Sequence, residues 1–451
     1  MTAMKEKLRW KGLVFSLVVL VGILIFPLFE EPKINSAFAI LVVAASLWIS
    51  EAIPLSMTAL LIPVMAVLLN IATPAAAFGE FSNPVIYLFM GGFVLAGALS
   101  AHSLDILLAH KLMLLAKGNF YKSAILLMLA TSLTACWVSN TSTAAMMIPL
   151  ALGMLAITDS KKSTSEAKFL LLGIAYAANI GGIVTMIASP PNAIGAAVLG
   201  LSFSEWLTYG VPIFLISFPI MVIVLTLYFK PNRTILIPTV PLPGRKSKDR
   251  TALIVIFAIT VLLWVFEGFL ARRLGVPSGF SSLVAILSIL MLFVFKVMSW
   301  EQILASVRWD ILLLFGGGLT LGFLVESTGL GSVLIGGVMS LSEQMPLILF
   351  LWLIVIGSII MTEFMSNTAS AALILPLLYT LAVESQINPM ILVLPATIAA
   401  SYGFMMPVGT PPNAMVFSTG FVPQKDMMKA GLGLNIIFSI VLTLFFYFWF
   451  K

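Results

Sequence analysis

Ser139-Asn140-Thr141 interrupts a long apolar run, and Ala144-Ala145 and Pro149-Leu150 follow it. The same stretch returns 227 positions later as Ser366-Asn367-Thr368, followed by Ala371-Ala372 and Pro376-Leu377. A helix in lipid must pair every backbone N–H and C=O, so a polar triplet that breaks such a run has to line a cavity or face other protein. Each triplet therefore reads as the tip of a re-entrant helical hairpin, spanning 121–158 and 346–383.

The chain around these tips is built for a bilayer. Of its 451 residues 61% are hydrophobic and 9% charged, against about 25% charged in soluble domains. Many runs reach the ~20 apolar residues that span a membrane. The net charge of +6 resides in short loops, the topology signature of an inner-membrane protein and not a nucleic-acid surface. One cysteine, Cys136, excludes a disulfide framework, and His102 and His110 leave little for metal or acid–base chemistry. Lys5, Lys7, Arg9 and Lys11 precede the first apolar run, which lacks a cleavage site and reads as a retained first span.

The expected fold is an all-α polytopic membrane protein with about eleven transmembrane helices and two re-entrant hairpins. Spans 1 to 4 fall at 13–29, 34–53, 55–72 and 84–101, and an interfacial amphipathic helix at 102–119. Span 5 starts near Ala167 and breaks at Ala188-Ser189-Pro190-Pro191-Asn192; span 6 covers 207–230. Consecutive prolines remove two donors and end any helix before them. The proline-rich basic stretch 231–250 reads as a solvated linker. Spans 7 to 9 then cover 251–269, 280–298 and 309–325, span 10 breaks at Gly409-Thr410-Pro411-Pro412-Asn413, and span 11 covers 429–449. The Gly-rich runs of spans 4 and 9 lie 226 positions apart and the two Pro-Pro-Asn breaks 221 apart. Three landmarks in one order make two repeats.

Each repeat has five crossings, an odd number, so the second is inverted. Inverted repeats with broken helices meeting at the midplane mark secondary transporters. An N-terminus in the cytoplasm places 20 of the 24 Lys and Arg on that side, the exceptions being Lys33, Arg272, Arg273 and Lys451, and leaves the C-terminus outside.

The breaks define the chemistry. The second half of each hairpin presents a helix N-terminus, which favours an anion. The preceding half-helix and the Pro-Pro breaks near Ala188 and Gly409 release carbonyls that suit a hard cation such as Na⁺. No Lys or Arg lies between Lys122 and Lys161 or between Arg308 and Lys425, so a bound dianion needs mobile counter-charge. Glu363, beside the second triplet, reads as a carboxylate facing water or a donor before it reads as a ligand. Glu51 and Glu267 read as interfacial, the Gly-rich runs as close-packing surfaces, Cys136 as a packing residue, and the histidines as interfacial.

At these residues the chain resembles the divalent anion:sodium symporter family of dicarboxylate and citrate carriers, over nearly its whole length. The resemblance implies a homodimer in the inner membrane that imports succinate, malate or fumarate with Na⁺ by an elevator motion. It implies a scaffold (1–120 and 251–345, the latter with its own interfacial helix) and a transport domain (121–230 and 346–451) joined by 231–250. It further implies that Ser139, Asn140 and Ala188 surround a first Na⁺, and Thr362, Met365, Asn367 and Gly409 a second. Asn140, Thr141, Asn367, Thr368, Ser189, Thr410 and Pro411 would face the substrate. One position departs from the family: Ala135 stands where a serine is frequent, so a hydroxyl is missing beside the first ion site. A Na⁺-independent dicarboxylate exchanger is the nearest alternative. An intramembrane serine hydrolase would need a base, and both histidines lie outside the hairpins; a channel would need a ring of pore charges.

Overall fold

The computed structural model describes residues 9–157, 164–237, 249–276, 279–334 and 345–451. Among them the chain is helical apart from one isolated bridge between Asn119 and Leu236. The first half holds α1 (Trp10–Ile25), α2 (Pro32–Ser50), α3 (Leu55–Leu68), α4 (Pro74–Gly79), α5 (Pro84–Ala101) and α6 (Leu104–Leu114). The first hairpin is α7 (Phe120–Ala135) and α8 (Asn140–Ile157); α9 (Ser165–Gly181) and α10 (Pro190–Leu199) form the broken span 5, and α11 (Phe203–Phe229) span 6. The second half holds α12 (Arg250–Val265), α13 (Glu267–Leu274), α14 (Phe280–Val294), α15 (Trp300–Ser306) and α16 (Trp309–Ser327). Its hairpin is α17 (Leu347–Phe364) and α18 (Asn367–Glu384), its broken span α19 (Pro389–Ala399) and α20 (Pro411–Ser418), and its last helix α21 (Gln424–Trp449). Eight of the described helices are long and apolar enough to cross a bilayer, nine if the bent pair α12–α13 counts as one. Of the interfacial helix expected before residue 345 only 330–334 are described, and they are helical; 335–344 and most of the 231–250 linker lie outside the described residues.

Packing follows the repeat. α5 lies on α14, and α3 on α16. A Cβ at Gly91 would meet Ala285, and one at Gly317 would meet Ala59; both pairs are related by the 226-residue offset. The Gly-rich runs are thus close-packing surfaces, as the sequence suggests. The broken spans cross over between halves. α10 packs on α18 and α19, while α20 packs on α8 and α9.

Contacts at helix ends sort into two sets. One joins Arg9 to Ser50, His102 to Val297 and Arg250, Asn119 to Arg233, Glu166 to Asn232, and Lys168 to Asp426 in a 2.8 Å ion pair. The other joins Ile23 to Asn35, Pro84 to Ser282, Phe203 to Glu267, Ser332 to Glu384, and Tyr209 to Met390 and Trp449. α2, α5, α11, α12, α14 and α21 have one end in each set, as helices running between two faces must.

Two expectations are corrected here. Span 7 is not straight to residue 269: α12 ends at Val265 and α13 leaves it at 78°. Nor is Glu267 exposed at its helix end. It is 6% exposed, and its two oxygens accept the backbone N–H groups of Phe203 and Ser281, at 3.1 Å each. A buried carboxylate needs such donors, and these are first-turn amides of α11 and α14, which lack intrahelical partners. The bend turns Glu267 toward both.

Candidate functional site: two hairpin tips facing two helix breaks

The first tip runs from Cys136 to Ser139. α7 ends where the Sγ of Cys136 donates to Ser132 O, and the Oγ of Ser139 accepts from Ser142 N, capping α8 at 3.3 Å. Asn140 opens α8 and lies against Gly182, where an added Cβ would overlap its amide oxygen. That oxygen is buried without a hydrogen-bond partner. The break from Gly182 to Ser189 is buried throughout. Thr185 Oγ1 donates to the Cys136 carbonyl and so ties break to tip.

At the second tip Ser366 makes no side-chain cap, so the first-turn amides of α18 lack that partner. Thr362 is fully buried, and its hydroxyl lies 2.6 Å from Asn367 Oδ1 and 2.7 Å from Ala400 O. Glu363 is 3% exposed. It accepts from Met405 N at 2.8 Å, Met406 N at 2.9 Å and Asn435 Nδ2 at 2.6 Å. It therefore faces donors and grips the break of span 10. Its Oε2 sits beside Gly409, 3.1 Å from where a Cβ would stand.

The expected site residues divide accordingly. Ser139, Asn140 and Thr141 are half-buried on the first tip, with Ala188 and Ser189 buried in the break opposite. Thr362 and Met365 are buried, while Asn367 and Thr368 are half-buried on the second tip. Gly409 and Thr410 are buried in its break, and Pro411 is exposed at the start of α20. Thr362 and Asn367 are brought into direct contact. The last turn of α9, which leads into the first break, is joined to the second break where Asn179 Nδ2 donates to Thr410 Oγ1 at 3.1 Å.

Sequence reasoning passed over two residues inside its own motif. Asn192 Nδ2 donates to Gly182 O and Thr185 O, both at 2.8 Å. Asn413 Nδ2 donates to Gly403 O at 2.9 Å and Met406 O at 3.1 Å. The separations, 10 and 7 residues, are the same in both halves. The signal was the asparagine that follows each proline pair, overlooked because the prolines explained the break.

Other candidates fall outside. Glu51 is exposed near Arg9, at 3.9 Å. His102 contacts Val297 O, and the Cys136 side chain, although at the first tip, is 4% exposed among packed side chains. Among the described residues no group of three His, Cys, Asp or Glu could hold a metal.

The citrate transporter family profile matches residues 45–397 and 349–451. An uncharacterized transporter of Haemophilus influenzae is 41% identical over 449 residues, covering 98% of this chain and 97% of that one. The sodium-dependent dicarboxylate transporter SdcS of Staphylococcus aureus is 31% identical over 436 residues, 90% of this chain and 84% of its own. The fold is similar to the crystal structure of the Alcanivorax borkumensis YdaH transporter, with a TM-score of 0.58, 14% identity, and coverage of 85% and 89%.

Proposed function

The chain belongs to the citrate transporter family and is a multi-pass membrane transporter, not an enzyme; from that premise we propose that it imports four-carbon dicarboxylates such as succinate, malate or fumarate together with Na⁺. The observation that carries this reading is the charge of the site. No Lys or Arg occurs in 123–160, 169–229 or 309–424, which hold both tips and both breaks. Helix N-termini supply only partial positive charge, so a dianion is neutralised by cations that enter with it. Ser139, Asn140 and Ala188 hold one Na⁺; Thr362, Met365, Asn367 and Gly409 hold the other. Asn140, Thr141, Ser189, Asn367, Thr368, Thr410 and Pro411 face the carboxylates. The bond from Thr362 to Ala400 O and the tie from Thr185 to Cys136 support tip and break acting together.

Alternating access is by sliding of one domain, 121–230 with 346–451, along a scaffold of 1–120 with 251–345. Two contacts support this. α18 meets α16 with Ala372 opposite Gly318, a Cβ there standing 3.2 Å from it. In the other half α8 meets α5 with Met146 opposite Ser100, 3.4 Å apart. Carried across the repeat, the second contact equates to residue 373 opposite 326, about seven residues further along the scaffold helix. At 1.5 Å per residue, the two registers differ by about 10 Å, which is the travel that would exchange them. The charge distribution supports eleven crossings, an N-terminus in the cytoplasm and a C-terminus outside; the family resemblance supports a homodimer through the scaffold.

A second reading, exchange of dicarboxylates without Na⁺, draws on Ala135. Thr362 is its repeat partner, and only the second tip has a hydroxyl on its asparagine oxygen. Labelled succinate uptake into empty proteoliposomes decides. Uptake with external Na⁺ and none with choline is the expected result. Equal uptake in both salts, appearing only after preloading with succinate, overturns symport.

A further inference from the structure

We infer that Asn192 and Asn413 are positioning residues, each latching the helix break of its own half into the shape that receives the coupling ion. Each is fully buried, and each spends both amide protons on two carbonyls of one break. The amide oxygen of each is buried with no partner. An asparagine kept for packing would not leave that atom unpaired, because burying an unpaired amide oxygen is unfavourable; the donor pair is what the position requires. Leucine has the branched heavy-atom outline of asparagine, with bulkier methyl ends, and none of its donors. The two latched carbonyls bracket the turn after α9 and α19, so freeing them frees the segment that leads to Ala188 or Gly409.

The latches carry unequal load. Around Asn413 the break is also held by Glu363, through Met405 N and Met406 N, and by Thr410, whose hydroxyl meets Asn413 N and Asn179. Around Asn192 the further side-chain ties are Thr185 to Cys136 O and Trp206 Nε1 to Ile183 O. The repeat partner of Glu363 is Cys136, which supplies no acceptor pair of that kind. Loss of the first latch therefore disturbs its ion site more than loss of the second.

This inference rests on the Na⁺-coupled reading for its transport readout, so the test has a second readout that does not. Asn192→Leu and Asn413→Leu are compared with the unaltered protein in the membrane. Amide hydrogen exchange should rise in 182–189 for Asn192→Leu, without change in 403–409, and rise less in 403–409 for Asn413→Leu. Half-saturating Na⁺ for succinate uptake should rise roughly tenfold in the first variant and a few-fold in the second, while succinate affinity at saturating Na⁺ holds. Should Asn192→Leu fail to fold, Asn192→Ser, which keeps one donor, should show the same exchange pattern at smaller amplitude. Unchanged exchange in both breaks overturns the latches. A loss of succinate affinity with no change in half-saturating Na⁺ overturns their link to the ion. Absence of any Na⁺ response in the unaltered protein counts against symport alone and leaves the exchange result to judge the latches.

Discussion

α8 and α18 are the same helix written twice, and they live in different surroundings. Ala369, Ala372, Pro376 and Thr380 of α18 are buried, with Ala372 and Pro376 against Gly318 and Gly322 of α16. Their repeat partners on α8, Ser142, Ala145, Pro149 and Gly153, are exposed. Small residues on a helix face permit close approach of a second helix, and among the described residues α8 has no partner along that face. The difference is one of position, since the two sequences offer nearly the same surface. On the proposed sliding motion it corresponds to one half docked, and the undocked face has a destination: Ala145 would meet Gly92, which Ile187 now covers, as Ala372 meets Gly318.

The tips differ for a second reason, which is chemical. Thr362 gives Asn367 a hydroxyl partner, and Ala135 gives Asn140 none. Glu363 grips its break, and Cys136 has only its backbone carbonyl to offer. One half is therefore more tightly organised than the other.

Mutations can break this comparison in order of expected size. Asn140→Ala and Asn367→Ala remove the proposed ligands to charged groups, at about 1.5–3 kcal/mol each, so on the proposed function succinate affinity should fall roughly tenfold to over a hundredfold. Near-normal uptake in both would remove the site from the triplets. Thr362→Ala makes the second tip like the first. It should cost about 1 kcal/mol, read as a rise of about fivefold in half-saturating Na⁺. Ala135→Thr makes the first tip like the second and should lower half-saturating Na⁺ by a few-fold. A rise instead would mean that the small side chain is needed for space.

Much of this was legible in the chain. The repeat, the two triplets, the Pro-Pro breaks and the position of nearly every helix follow from apolar runs and punctuation, which are local. The bend at Phe266 and the role of Glu267 were not, because the amides that hold that carboxylate belong to residues 64 positions before it and 14 after it. Glu363 was legible as a candidate but not as a clamp, for the same reason. The asparagines of the breaks were in plain view, yet their carbonyl partners are fixed only once the break has folded back. Which half is docked cannot be written in two nearly identical surfaces at all; on the proposed motion it depends on where the sliding part rests.

Cross-linking tests that claim most directly. Gly318→Cys with Ala372→Cys places two Cβ atoms about 3.2 Å apart as the structure stands, close to disulfide range. Gly92→Cys with Ala145→Cys should bridge only after the slide, with Cys136→Ala removing the native thiol from both. The account predicts that both pairs form during turnover, that the two bridges exclude each other, and that either one stops succinate uptake until reduced. Failure of the Gly92–Ala145 pair to bridge under turnover, or continued uptake with the Gly318–Ala372 bridge closed, would contradict it.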